Sequence, residues 1–79
     1  MAKIKTSDID QFVIDNVRER RLKLKLSQAA LAYELNVSEG FIGNVESNNY
    51  RAKYNLNHLN ELAKIFKCSP RDFLPKRPL

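Results

Sequence analysis

Residues 26–47, LSQAALAYELNVSEGFIGNVES, decide the fold. The stretch divides at Asn36. Before it, Ala29, Ala30, Leu31, Ala32 and Leu35 predict a helix over about 28–35, with Ser27 as N-cap and alanines that permit close packing. Asn36 suits a left-handed turn, where Asn is less strained than most residues. After it, Val37, Phe41, Ile42 and Val45 recur at helical spacing, and Ser38 is placed to cap a second helix over 38–47. About three residues therefore separate two short helices. At 100° per residue, Ile42 and Val45 turn inward, Val37 closes that face, and Glu39, Gly40, Gly43 and Asn44 are left outward. This second helix holds both glycines of the chain, together with Glu39 and Glu46, and no Lys or Arg. An interior glycine costs a helix about 1 kcal/mol against alanine, so the outward glycines call for a reason.

Upstream, Ser7 is a candidate N-cap, and Asp8 and Asp10 favour the positive end of a helix over about 8–24. Ile9, Val13, Val17 and Leu24 are expected near its apolar face. RERRLKLK at 18–25 carries five basic residues and one acid. Downstream, Ser47-Asn48-Asn49 ends the second short helix and YRAKYN at 50–55 reads as a loop. A further helix starts near Asn55, with Leu56, Leu59, Leu62, Ala63 and Phe66 on its core face, and breaks at Lys67 and Cys68. Ser69-Pro70-Arg71-Asp72 combines a cap, a proline at the first helical position and an acid at the third, predicting a fifth helix over 70–74. Phe73 and Leu74 suit either core packing there or a dimer surface. No segment reads as a strand. The expectation is an all-α, compact five-helix domain over 7–74, with a loose basic tail at 1–6 and a Pro-rich tail at 75–79.

Length and composition bound the function. A 79-residue chain makes one domain with a thin stability margin. Its single cysteine allows no internal disulfide. MAKIKTSDID has no signal-like apolar run and no stretch approaches the length of a membrane span, so a cytoplasmic protein is expected. The formal charge of +5 suits a polyanionic partner, or a merely soluble surface. Catalysis is not expected: His58 and Cys68 lack an orienting partner, no cluster has metal-ligand spacing, and no glycine loop could cradle a cofactor phosphate.

From about Phe12 to Leu74 the chain resembles the phage repressor and Cro-like (Xre-like) helix-turn-helix family. The resemblance is carried by Leu26-Ser27-Gln28, Leu31-Ala32, Leu35, Val37-Ser38, Ile42 and Val45-Glu46, and by LNELAKIFKCSPRDFL at 59–74. It implies sequence-specific binding of double-stranded DNA, with the second of the paired helices in the major groove and the first across the backbone. It implies base reading by Glu39, Gly40 and Asn44, with Phe41 as a further candidate. The backbone-contacting set is Gln28, Ser38, Asn49, Arg51 and Lys53. Arg21 and Glu46 match a structural ion pair of the family. Lys25, Asn48 and Lys67 stand where relatives commonly have glycine, which requires an altered helix end at each lysine. Ala30 leaves the Ser27 capping box incomplete, and the 50–55 connection is a few residues longer than in compact relatives.

Several residues carry two readings. Glu39 could accept a hydrogen bond from cytosine N4, or serve as an acid favoured by the helix dipole. Asn44 could contact adenine in bidentate fashion, or remain a solvated polar residue. Phe41 could pack at the edge of the interface between the two paired helices, or touch a thymine methyl. Gly40 and Gly43 could let backbone approach DNA, or Gly43 could serve contact with the preceding helix. Lys3 and Lys5 suit a DNA-wrapping arm or a loose tail. The functional expectation is a transcriptional regulator, a homodimer on a pseudo-palindromic operator. A phage repressor, a restriction-modification controller and a DNA-binding antitoxin all fit. The competing reading is a protein-interaction adaptor that keeps the fold with weak DNA reading, suggested by the acidic, lysine-free helix.

Overall fold

The computed structural model describes residues 6–47 and 51–79. Lys3, Lys5, Asn48 and Asn49 lie outside the described residues. Four α-helices follow one another: α1 (Asp8–Lys23), α2 (Gln28–Leu35), α3 (Glu39–Ser47) and α4 (Leu56–Phe66). A 3₁₀ turn, Pro70–Phe73, closes the domain.

Local chemistry sets the helix ends. Ser7 Oγ accepts from the Asp10 amide at 3.2 Å, and Ser27 Oγ from the Ala30 amide at 3.0 Å. Each such cap contributes about 1 kcal/mol by satisfying an otherwise orphaned N–H. Asn36 takes the left-handed conformation at φ 61°, and the Val37 amide donates back to the Ala32 carbonyl at 3.0 Å. Ser38 Oγ then accepts from the Phe41 amide at 3.0 Å and opens α3. Asn55 and His58 cap α4 reciprocally: Asn55 Oδ1 accepts from the His58 amide at 2.8 Å, and His58 Nδ1 accepts from the Asn55 amide at 3.0 Å. Lys25 and Lys67 both adopt φ 57°, the altered helix ends that lysine in a glycine position requires.

The core is assembled from Val13, Ile14 and Val17 of α1, Leu31, Ala32 and Leu35 of α2, Ile42 and Val45 of α3, and Leu59, Leu62 and Ala63 of α4. Tyr54 and Phe73 complete it. Phe73 is fully buried, whereas Leu74 is partly exposed, so core packing accounts for the former. Cys68 is partly buried against the same cluster.

Three expectations are corrected. The fifth helix is instead a short 3₁₀ element, Pro70–Phe73, bounded by Asp72 N–H to Ser69 O and Leu74 N–H to Arg71 O bonds, with Pro75 just beyond it. On α1 the buried arc runs through Val13, Ile14, Val17 and Arg21, while Ile9 and Leu24 are exposed. Ile9 lies about 95° from the centre of that arc at 100° per residue, and Leu24 follows the last helical turn. Leu56 is 80% exposed, since it opens α4 ahead of the turn that reaches the core.

Candidate nucleic-acid interface

Burial of Ile42 and Val45 fixes the rotation of α3. Its opposite face carries Glu39 and Gly40, both exposed, with Gly43 and Asn44 half-buried beside them. The side chains of Glu39 and Asn44 have no hydrogen-bond partner among the described residues, so four positions of α3 present their chemistry outward. Neither glycine is demanded by the fold. A Cβ on Gly40 would lie 4.0 Å from Ser38 Oγ, and one on Gly43 would lie 3.5 Å from Gln28 Oε1. Neither glycine adopts positive φ.

One carboxylate holds this helix in place. Glu46, its side chain 4% exposed, accepts from Arg21 Nε at 2.9 Å and Arg21 Nη2 at 2.8 Å. The third guanidinium nitrogen of Arg21 donates to the Leu26 carbonyl at 2.8 Å, so every nitrogen of the buried cation donates within the protein. Gln28 Nε2 donates to Glu46 Oε1 at 3.1 Å, and Arg18 Nε stands 3.7 Å from the same oxygen. α1, the start of α2 and the end of α3 thus meet on a single charge. Bidentate geometry and several donors are what a buried ion pair needs to offset its desolvation.

Phe41 turns sideways, half-buried, and leans on two aromatic rings. Its centroid lies 5.1 Å from His58 and 6.1 Å from Tyr54 in an edge-to-face contact. His58 thereby joins α3 to the capped start of α4. Burial lowers its pKa below the usual histidine value. The Tyr54 hydroxyl is buried without a hydrogen-bond partner among the described residues. Burial raises its pKa well above the usual phenol value, the Glu46 charge adds to that rise, and Arg21 opposes it.

The remaining candidates are dispersed around α3. Gln28 sits at the first position of α2, its amide on Glu46. Ser38 is exposed, with its hydroxyl used as the α3 cap. Arg51 is exposed, and Lys53 Nζ is 3.5 Å from Asp10 Oδ2 of α1. Asn49 lies outside the described residues. Sequence reasoning missed Arg18, His58 and Tyr54. The signals were present: Arg18 precedes Arg21 by one turn, and Asn55-x-x-His58 has capping-box spacing.

A family model described as helix-turn-helix matches residues 17–73. The chain belongs to the helix-turn-helix family. The match spans α2, its turn and α3. The restriction-modification controller protein C.AhdI from Aeromonas hydrophila is similar at 25% identity and TM-score 0.67, over 80% of this chain and 92% of that one. A hypothetical transcription factor, NHTF, from Neisseria is similar in fold at 18% identity and TM-score 0.73, over 95% of this chain and 85% of that one. Hydroxypropylphosphonic acid epoxidase from S. wedmorenis shares the fold at 21% identity and TM-score 0.73, over 89% of this chain. This helix-turn-helix chain spans only 36% of that enzyme, and the likeness is one of fold alone. No curated protein matches the chain. Among the described residues, no helix is long and apolar enough to cross a membrane, and no group of three or more His, Cys, Asp or Glu could hold a metal ion.

Proposed function

We propose that this helix-turn-helix protein is a sequence-specific regulator of transcription that inserts α3 into the major groove and binds a pseudo-palindromic operator as a homodimer. The observation that carries this reading is the outward face of α3, with Glu39, Gly40 and Asn44 free of internal bonds above a helix locked by Glu46. Asn44 is the adenine reader and Glu39 the cytosine N4 acceptor. Gln28, Ser38, Asn49, Arg51 and Lys53 form the backbone-contacting set, and Phe41 stands at the edge of the read surface. One short recognition helix reads only a few base pairs, so two subunits are needed for useful specificity.

Selection of bound duplexes from a random pool at about 0.15 M salt tests this directly. Enrichment of two inverted half-sites is the expected result. A second reading, a protein-interaction adaptor or antitoxin partner, is favoured by the absence of any Lys or Arg on α3. It predicts no enriched motif and almost no salt dependence of duplex binding, whereas a subunit neutralising about 3–5 phosphates gives a log–log slope near −3 to −4.5.

A further inference from the structure

We infer that Arg18 of α1 is a DNA-phosphate contact, supplying at the mouth of α2 the positive charge that α3 itself lacks. The inference rests on the DNA-binding reading above and adds to it a residue that neither the family resemblance nor the sequence singled out.

Charge balance at Glu46 carries the argument. Two guanidiniums, Arg18 and Arg21, share one carboxylate. Arg21 is consumed: it is 9% exposed, its three nitrogens all donate within the protein, and it matches Glu46 in charge and geometry. Arg18 is surplus. Its side chain is 56% exposed, and its one polar contact among the described residues is the 3.7 Å approach of Nε to Glu46 Oε1. That oxygen is already occupied by Arg21 Nη2 and Gln28 Nε2. An exposed pair of this kind contributes only about 0–1 kcal/mol, so exchanging it for a phosphate costs little. The cluster therefore retains one positive charge, and its solvent-facing member holds it.

Position supplies the direction. Arg18 and Gln28 reach the same carboxylate oxygen, so the guanidinium sits beside the first residue of α2. In the helix-turn-helix arrangement the helix preceding the reading helix crosses the phosphate backbone. Arg18 offers a planar fork of donors suited to phosphate oxygens. With Glu46 neutralised by Arg21, Glu39 is left as the unpaired charge of α3. A flanking cation on α1 offsets the repulsion that an acidic recognition helix meets on approaching DNA.

The test is salt-dependent duplex binding by wild type, Arg18→Gln and Arg18→Lys, on the selected operator and on unrelated DNA, with melting measured in parallel. Arg18→Gln is expected to reduce the log–log slope by about 1 per bound subunit and to weaken binding about fivefold per subunit at 0.15 M salt on both DNAs. The operator preference and the melting temperature stay unchanged, and Arg18→Lys restores the slope. An unchanged slope in Arg18→Gln while wild type binds DNA overturns the assignment and leaves the DNA-binding reading standing. So does a loss of affinity that tracks a fall in melting temperature and is not rescued by lysine. Failure of wild type to bind any duplex overturns both.

Discussion

Gly40 and Gly43 sit on the same face of α3 for reasons the free protein does not supply. Gly43 is interior to the helix, and alanine there would meet Gln28 Oε1 at an ordinary contact distance. Gly43→Ala is expected to stabilise the fold by about 0.5–1 kcal/mol, read as a higher denaturation midpoint. Gly40 has open space around it and lies at the exposed start of α3. Gly40→Ala should leave stability unchanged or slightly raised, yet weaken operator binding if the backbone closes on DNA there. Equal affinity of both proteins would remove groove approach as the reason for this glycine. Asn44 makes the sharper case. Asn44→Ala should cost about 1–3 kcal/mol on the best operator and relax preference at one base pair; equal weakening on every sequence would show that it does not read bases. These outward positions were legible in the sequence because Ile42 and Val45 fix the rotation of the helix. The tilt of Phe41 toward His58 was not legible, since it depends on where the distant start of α4 falls.

At the scale of elements, the helix ends hold both strain and sensitivity. Lys67 ends α4 in the left-handed region at φ 57°. A side chain there costs about 1 kcal/mol or more against glycine. Lys67→Gly is expected to raise the melting temperature by about 4–8 °C per kcal/mol gained in a domain of this size; a lower melting temperature would mean that the lysine side chain makes a compensating contact. The start of α4 behaves differently. His58 Nδ1 must be unprotonated to accept from the Asn55 amide, and burial lowers its pKa from the ordinary 6.5. The unfolded chain therefore takes up the proton first as pH falls. Stability is complete above about pH 7 and declines as pH drops through the unfolded value toward the lower folded one. His58 is the only histidine, so no other unperturbed side chain titrates between about pH 5 and 8. His58→Gln retains a capping-box acceptor and should flatten this limb of the stability profile, as measured by denaturant midpoints at pH 7.5 and 5.5. The α-helix boundaries were readable from Ser7, Ser27, Asn36, Ser38 and Asn55, because capping is a local matter. The last element was read as a helix over 70–74 and is a 3₁₀ element over Pro70–Phe73: Pro70 signals its start, and Pro75 follows too closely for an α-helix to develop.

Across the whole molecule, Glu46 joins three helices, and a domain this small has few alternatives to that bond. Arg21→Ala strands a buried carboxylate and should destabilise the fold by about 3–5 kcal/mol. Thermal melting checks it, and an unchanged transition would show the pair to be dispensable in solution. The sequence pointed to Arg21 and Glu46 through their place in a family pattern; nothing in their spacing alone brings residues 21 and 46 together. Arg18 and Gln28 entered the cluster only once α1 and α2 were packed, because their roles depend on three-dimensional proximity to one oxygen atom.

The separation between that anchored interior and the unengaged outer face of α3 has an evolutionary corollary. The side chains of Glu39 and Asn44 make no hydrogen bond among the described residues and Gly40 has open space around it, so a lineage could rewrite these three positions one at a time without approaching the threshold of unfolding. Such a scaffold acquires new targets by drift along a nearly flat stability surface, and a transplanted trio from a sibling protein would bring its own preferences with it.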